Sequence, residues 1–206
     1  MHVAESPAER QLLTEAAGPL AQALRDLGVL PEGVFPWGPD PFGMLIDLLS
    51  KAPRVLMIHG NDLTDTEIEH LCRYPQITVV YCPRTHAFFG YPKHPVDRML
   101  SAGIPVALGT ESRASNPDLN LWHEVQYLLQ YRTDLLPAEV LKMATTRGAD
   151  ALGRHELGRI AVGCSSDLGL IETSADTVDQ LYRDICVQDY RWLEDDNSSA
   201  GVETDL

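Results

Sequence analysis

Ile104-Pro105-Val106-Ala107-Leu108-Gly109-Thr110-Glu111-Ser112-Arg113-Ala114-Ser115-Asn116 is an apolar run that stops abruptly at a carboxylate. A short continuous apolar run reads as a parallel strand buried on both faces. Burying an ionised carboxylate without a partner is costly, so Glu111 at the end of such a strand calls for a cation, a metal or a proton. A solvated loop acid is the competing reading, since parallel strands often end in polar loops. Downstream, Asn116-Pro117-Asp118-Leu119-Asn120-Leu121-Trp122-His123-Glu124 sets an N-cap residue before a proline at the first helical position, which predicts a helix directly after the loop. Strand, loop and helix form one β/α unit, and in α/β barrels functional groups gather at the C-terminal strand ends, where Glu111 falls.

The same pattern extends on both sides. Ser6-Pro7-Ala8-Glu9 is a capping box with proline at the first helical position, so a helix begins after Glu5 and runs to about Leu27-Gly28. His2 and Glu5 therefore stand at a strand-to-helix junction of the same kind. Residues 29 to 43 form a proline-punctuated loop, and such long connections often cover a site. Phe42 to Ser50 suggests a short helix; Arg54 to Ile58 is a buried strand ending at His59. Leu63-Thr64-Asp65-Thr66-Glu67-Ile68 combines a second capping box with a Leu63–Ile68 staple, opening a helix to about Tyr74. Ile77 to Tyr81 is the next strand, followed by a Cys82 to Gly90 loop and a helix from His94-Pro95 to Gly103. Helices near 117–131 and 137–150 follow, then one or two short strands within Gly158 to Ile171. Thr177 to Leu193 has helical spacing, and the last dozen residues read as disordered. Strands alternating with helices indicate parallel β/α architecture.

A chain of 206 residues that is 44% hydrophobic buries one sizeable core. Its net charge of -14 and pI near 4.7 argue against nucleic acid and anionic membranes as partners, because the field of the whole protein repels them. No apolar run reaches the length of a membrane span, and no signal peptide is visible. Cys72, Cys82, Cys164 and Cys186 lack metal-type spacing and read as reduced apolar residues, which suits a cytoplasmic protein.

Gly109 to Asn116 resembles the G-T-D-x-x-A-S-N segment that ends barrel strand 8 in the amidohydrolase superfamily, in its deaminase and chlorohydrolase branch. Four further segments match in order: His2-Val3-Ala4-Glu5, Ile58-His59-Gly60, Tyr81-Cys82-Pro83-Arg84-Thr85-His86, and Gly158-Arg159-Ile160 through Asp167-Leu168. The wording of His2 to Ser6 and Cys82 to Gly90 is most similar to the aminodeoxyfutalosine deaminases. This resemblance implies the C-terminal half, strands 5 to 8, of a metal-dependent hydrolase with a TIM-like (β/α)8 barrel. Residues 1–152 would be the half-barrel, 153–172 the return strands of a small β domain, and 173–206 a helix and acidic tail.

His2, His59 and Glu111 each end an apolar segment before a loop and helix, so they should converge on one barrel mouth. Imidazole and carboxylate donors suit zinc or iron(II). By resemblance, His2 and Glu111 are metal ligands, Glu5 is the proton shuttle, His59 polarises water or substrate, and Glu111 also acts as base. Arg84 and His86, in the loop after the Tyr81 strand, are candidates for substrate contact, with surface roles as the alternative; His70, His94, His123 and His155 read as helix-surface or capping groups. The implied reaction is hydrolysis of a non-peptide carbon–nitrogen bond, namely deamination of an amino-substituted heterocycle or nucleoside-like substrate.

Two departures bear on activity. Glu111 replaces the family's aspartate, moving the carboxylate by about one methylene, ~1.5 Å. No His-x-His pair occurs, and two ligands do not make a tight mononuclear site. The isolated chain should therefore be inactive, and it should self-associate or bind a complementary N-terminal half. A noncatalytic half-barrel remnant or binding module is the alternative function; a doubly wound α/β domain is the alternative fold.

Overall fold

The computed structural model describes residues 1–30 and 32–193. The chain opens with β1 (His2–Val3) and α1 (Pro7–Glu15), whose N-terminus is capped by the Ser6 hydroxyl accepting from the Glu9 amide at 3.3 Å. The box is displaced by one residue, because the Glu9 carboxylate accepts from the Glu5 amide instead, at 2.7 Å. The single helix expected to Gly28 is two. Ala16 turns left-handed with φ 53°, Gly18 follows at φ 85°, and Pro19 has no N–H with which to continue the ladder, so α2 (Gly18–Asp26) starts afresh.

The chain continues through α3 (Pro41–Leu49), β2 (Val55–His59) and α4 (Asp65–Leu71). The Thr64–Glu67 box is complete, with amide-to-side-chain distances of 3.3 and 2.7 Å, and Leu63 and Ile68 are both buried beside it. β3 (Ile77–Tyr81) leads into α5 (Pro83–Phe89), where a loop was expected. Pro83 at the first helical position and left-handed Gly90 at the end are ordinary helix punctuation, but seven residues are too few to display a period. Then come α6 (Val96–Ser101), β4 (Val106–Leu108) and α7 (Leu121–Tyr131). The last of these starts four residues later than the Asn116-Pro117 signal suggested. Asn120 is its cap, accepting from the Trp122 amide at 3.0 Å, because the Asn116 side chain is buried and bonded elsewhere.

α8 (Pro137–Ala144) and α9 (Thr146–Leu152) follow, divided at Thr145. β5 (Gly169–Leu170) is the strand formed within the Gly158 to Ile171 segment. The helix expected over 177–193 ends early: α10 (Val178–Ile185) gives way to β6 (Arg191–Trp192), which pairs antiparallel with β5. The intervening turn is tied down when Trp122 Nε1 and Gln126 Nε2 both donate to the Gln188 carbonyl at 2.8 Å. The acidic tail expected to be disordered lies outside the described residues.

β1, β2, β3 and β4 form one parallel sheet in that spatial order. The order is sequential, without the reversal that defines a doubly wound sheet. Val55, Met57 and His59 alternate with the half-buried Leu56 and Ile58. Met57, Val79 and Val106 belong to the core that also holds Phe42, Ile46, Leu71 and Met99. Leu56, Ile58, Val80 and Ala107 face an apolar cavity of about 810 Å³ bounded by Trp122, Leu141 and Tyr190 on its far side. No helix among the described residues is long and apolar enough to cross a membrane, and all four cysteines are unpaired.

Candidate metal centre

At the C-terminal ends of β1, β2 and β4 the chain turns through three left-handed corners. Ala4 has φ 54°, His59 77° and Glu111 61°. A non-glycine residue in this region carries about 1–3 kcal/mol of strain, tolerated where the surroundings enforce it and frequent at functional sites. Each corner is enforced. The Val3 and Ala4 carbonyls accept the amides of Gly60 and Asp62 at 3.0 and 2.9 Å, and Asn61 Nδ2 donates to the Glu5 carbonyl at 2.9 Å. His94 Nε2 bonds the His59 carbonyl at 2.9 Å. The Thr110 carbonyl accepts from Asn116 Nδ2 at 2.7 Å and from Thr85 Oγ1 at 3.2 Å. Gly109 is required for space: a Cβ there would stand 2.8 Å from Val80 Cγ1 and 3.2 Å from Cys82 Sγ.

These corners bring Glu5, His59 and Glu111 together although more than fifty residues separate neighbours in sequence. His2 Nε2 is 3.3 Å from Glu111 Oε2, and His59 Nε2 lies 3.9 Å from the same oxygen and 3.8 Å from Glu5 Oε1. His2, His59 and Glu111 each present one donor atom within 4.8 Å of the others. Tetrahedral zinc with bonds of about 2.1 Å separates its ligands by roughly 3.4 Å. The His2–Glu111 spacing meets that value, whereas His59, 3.9 Å from Glu111 and within 4.8 Å of His2, would have to move inward to complete the set. The donor set thus fits a borderline divalent ion with three protein ligands, one more than the two counted from sequence, because His59 is near enough to serve. Burial pulls the His59 imidazole below its ordinary pKa, with Glu5 and Glu111 opposing and His2 adding to the shift, which leaves its nitrogen free to bind.

Arg84 makes no approach to this cluster among its hydrogen bonds. Its Nε meets Glu124 at 2.7 Å, its terminal nitrogens meet Asp118 at 3.1 and 2.6 Å, and its own amide donates to Glu124 at 2.9 Å. It therefore ties α5 to α7. His86 bonds the Pro92 carbonyl at 2.8 Å and lies edge-on to Tyr81 and Tyr91; burial lowers its pKa. His70, His123 and His155 pair with Asp47, Asp118 and Asp150, as surface groups do. His94 is different from expectation, since it is completely buried beneath the His59 corner.

Sequence reasoning also missed Glu124 and Asn116. Glu124 is fully buried in the first turn of α7, and its carboxylate gathers Arg84 and, at 2.6 Å, Asn116 Nδ2, which in turn holds the carbonyl preceding Glu111. A charged residue at an inward helical position was the available signal, readable only once the start of α7 is known. The Cys82 thiol is pushed up to about 12, by burial first and then by Glu111 and Glu124, so it is an inert packing group.

A parallel β/α sheet with imidazole and carboxylate donors gathered at its C-terminal edge has its functional face where α/β barrels have theirs. The chain belongs to the amidohydrolase family, whose model matches residues 1–200. It is 34% identical over 151 residues to a 5-methylthioadenosine/S-adenosylhomocysteine deaminase of Nitratidesulfovibrio vulgaris, covering 70% of this chain and 34% of that protein. A namesake from Thermoanaerobacter pseudethanolicus is 40% identical over 123 residues, 56% of this chain and 28% of the relative. Among solved structures, a zinc-bound adenosine deaminase from Xanthomonas campestris superimposes with a TM-score of 0.62 at 25% identity, over 90% of this chain and 40% of the other. The Helicobacter pylori aminofutalosine deaminase in complex with methylthio-coformycin gives 0.75 at 19% identity, over 92% and 47%; at that identity the likeness is one of fold. The chain spans about a third of the length of the curated relatives it matches.

Proposed function

We propose that this chain carries one half of the metal centre of a hydrolytic deaminase acting on an adenosine-like nucleoside. The observation that carries the reading is the convergence of His2, His59 and Glu111 donors within 4.8 Å, with Glu5 on His59. His2, His59 and Glu111 would hold zinc, iron(II) being the alternative from the same donor types. The ion's contribution when bound is to lower the pKa of water toward neutrality. In hydrolysis a carbon–oxygen bond forms, the carbon–nitrogen bond breaks, and ammonia departs. Glu111 accepts a proton from the attacking water, and Glu5 passes a proton to the departing nitrogen. His59, nearly buried between the two carboxylates, orients the oxygen. His86, held by the Pro92 carbonyl, and Arg84, engaged with Asp118 and Glu124, remain the two substrate-contact candidates.

The same reading divides the chain into a half-barrel over 1–152, a return segment over 153–172, and a helix with tail over 173–206, in a cytoplasmic protein with reduced cysteines. The apolar cavity left between Leu56, Ile58, Val80 and Ala107 and the chain's own Trp122, Leu141 and Tyr190, with the outer edges of β1 and β4 unpaired among the described residues, supports a further half, whether the rest of a longer polypeptide, a separate chain or a second copy.

Zinc titration and ammonia release from 5-methylthioadenosine and adenosine test the proposal. The 206-residue chain alone should bind zinc weakly and release no ammonia; joined to a strand bearing a His-x-His pair it should bind zinc stoichiometrically and turn over. Glu111→Asp in the completed protein should tighten zinc further. Deamination by the 206-residue chain alone would overturn the requirement for a second half, and a completed protein that binds zinc yet deaminates neither nucleoside would overturn the reaction.

A further inference from the structure

His59 turns its ring toward Glu5 and Glu111 from a backbone at φ 77°, and Gly60 behind it is also left-handed at 67°. The Gly60 and Asp62 amides hold the backbone of this corner by donating to the Val3 and Ala4 carbonyls, while the His59 carbonyl accepts from a side chain. The side chain that closes it comes from the connection between α5 and α6. His94 is fully buried, its Nε2 is 2.9 Å from the His59 carbonyl, and its ring stacks on Tyr81 with centroids 3.8 Å apart and planes at 21°. Tyr81 is the last residue of β3, so the stack fixes His94 to the neighbouring strand. His86 stands edge-on to both stacked rings, 5.7 Å from His94 and 5.8 Å from Tyr81, and Arg132 Nη1 donates to the His94 carbonyl at 3.2 Å, so the backbone carrying the ring is held as well.

A carbonyl oxygen only accepts, so His94 must carry its hydrogen on Nε2. Its other nitrogen, Nδ1, is buried without a hydrogen-bond partner. An apolar ring of the same shape would avoid that cost, and Phe would stack on Tyr81 as well. What Phe lacks is the N–H aimed at His59. We propose that His94 is a positioning residue for the metal centre, setting the direction of His59 through its carbonyl. The proposal rests on the reading of His59 as a ligand or orienting group, but it is expressed in the His59 ring whether or not metal binds. Side chains that orient metal-binding histidines typically change affinity by about 10–100-fold when removed.

The experiment compares His94→Phe, which keeps ring and stack but loses the donor, with His94→Gln, whose amide nitrogen replaces Nε2 and restores it. Ile185→Val, a core change in α10 that removes none of these contacts, controls for general loosening. All are made in the 206-residue chain, with folding followed by circular dichroism. The readouts are the His59 ring carbon–hydrogen signal in NMR at fixed pH and the zinc dissociation constant from competition with a chromophoric chelator. His94→Phe should move the His59 signal and weaken zinc about tenfold, His94→Gln should bring both back toward the parent, and Ile185→Val should leave both unchanged. Folded His94→Phe with an unmoved His59 signal would overturn the proposal, as would folded His94→Gln that fails to recover. If the parent chain binds no zinc, the metal reading fails while the His59 signal still decides the role of His94.

Discussion

The corners after β4 and after β1 deliver donor side chains to the same point by opposite means. Glu111 follows a carbonyl gripped by Asn116 and Thr85, and Asn116 is gripped by a buried carboxylate that also clamps Arg84. His2 sits on a two-residue edge strand paired only with β2, and its side chain is 58% exposed against 3% for His59. One side of the candidate site is fixed by buried hydrogen bonds; the other is exposed and free to adjust. Ions held by a mixture of rigid and adjustable donors lose affinity to the ordering of the adjustable one, and stability and function then separate along the rim.

The sharpest way to break this contrast is Glu124→Ala. It strips partners from Arg84 and from Asn116 inside a dry contact, and removing one member of a buried pair costs about 3–5 kcal/mol; urea unfolding should show a loss of that order, whereas a change below about 1 kcal/mol would mean the β4 corner is no stiffer than β1. Glu111→Gly probes the strain itself. Glycine relieves a left-handed backbone, so the variant should gain up to about 1 kcal/mol in the same assay while zinc binding disappears; a loss of stability would show that the carboxylate holds the corner.

Acid offers a third comparison. Burial drives His94 down to about 3 and His86 below its ordinary value, so the unfolded chain takes up these protons before the folded chain does. Stability should therefore fall as pH drops from about 6.5 toward 4, and rise again on return. Asp118 is held well below the usual carboxylate range, chiefly by the Arg84 guanidinium beside it. Its contribution is present above the unfolded carboxylate pKa and is lost only under stronger acid, so the β4 corner should outlast the histidines. A urea midpoint identical at pH 7 and pH 5 would contradict this order. The smallest effect belongs to His2→Ala, which should change unfolding by less than about 0.5 kcal/mol, as exposed positions do, yet reduce zinc affinity measurably.

The β2, β3 and β4 strands and the Thr64 helix start are legible because burial and capping impose local patterns that few residues can satisfy. Glu111 stood out for the same reason, as a charge at the end of an apolar run. The elements misread are those whose local signal has two solutions. Asn116-Pro117 suits a helix cap, yet the same amide is drawn inward by Glu124, a partner eight residues away that no local pattern reveals. Pro83 to Phe89 is too short for periodicity, and the capping box at Ser6 marks where a helix begins without marking the break that Ala16, Gly18 and Pro19 impose. His94 looked like surface because its partners, His59 and Tyr81, come from two other strands.

The pairing of β1 with β2 has a consequence for assembly. His2 registers against Ile58 and Val3 against His59, so β1 meets β2 across more than fifty intervening residues. Glu111 comes from the far edge of the sheet. A donor cluster drawn from strands so far apart in sequence exists only once the sheet has formed, so no single β/α unit can assemble it alone.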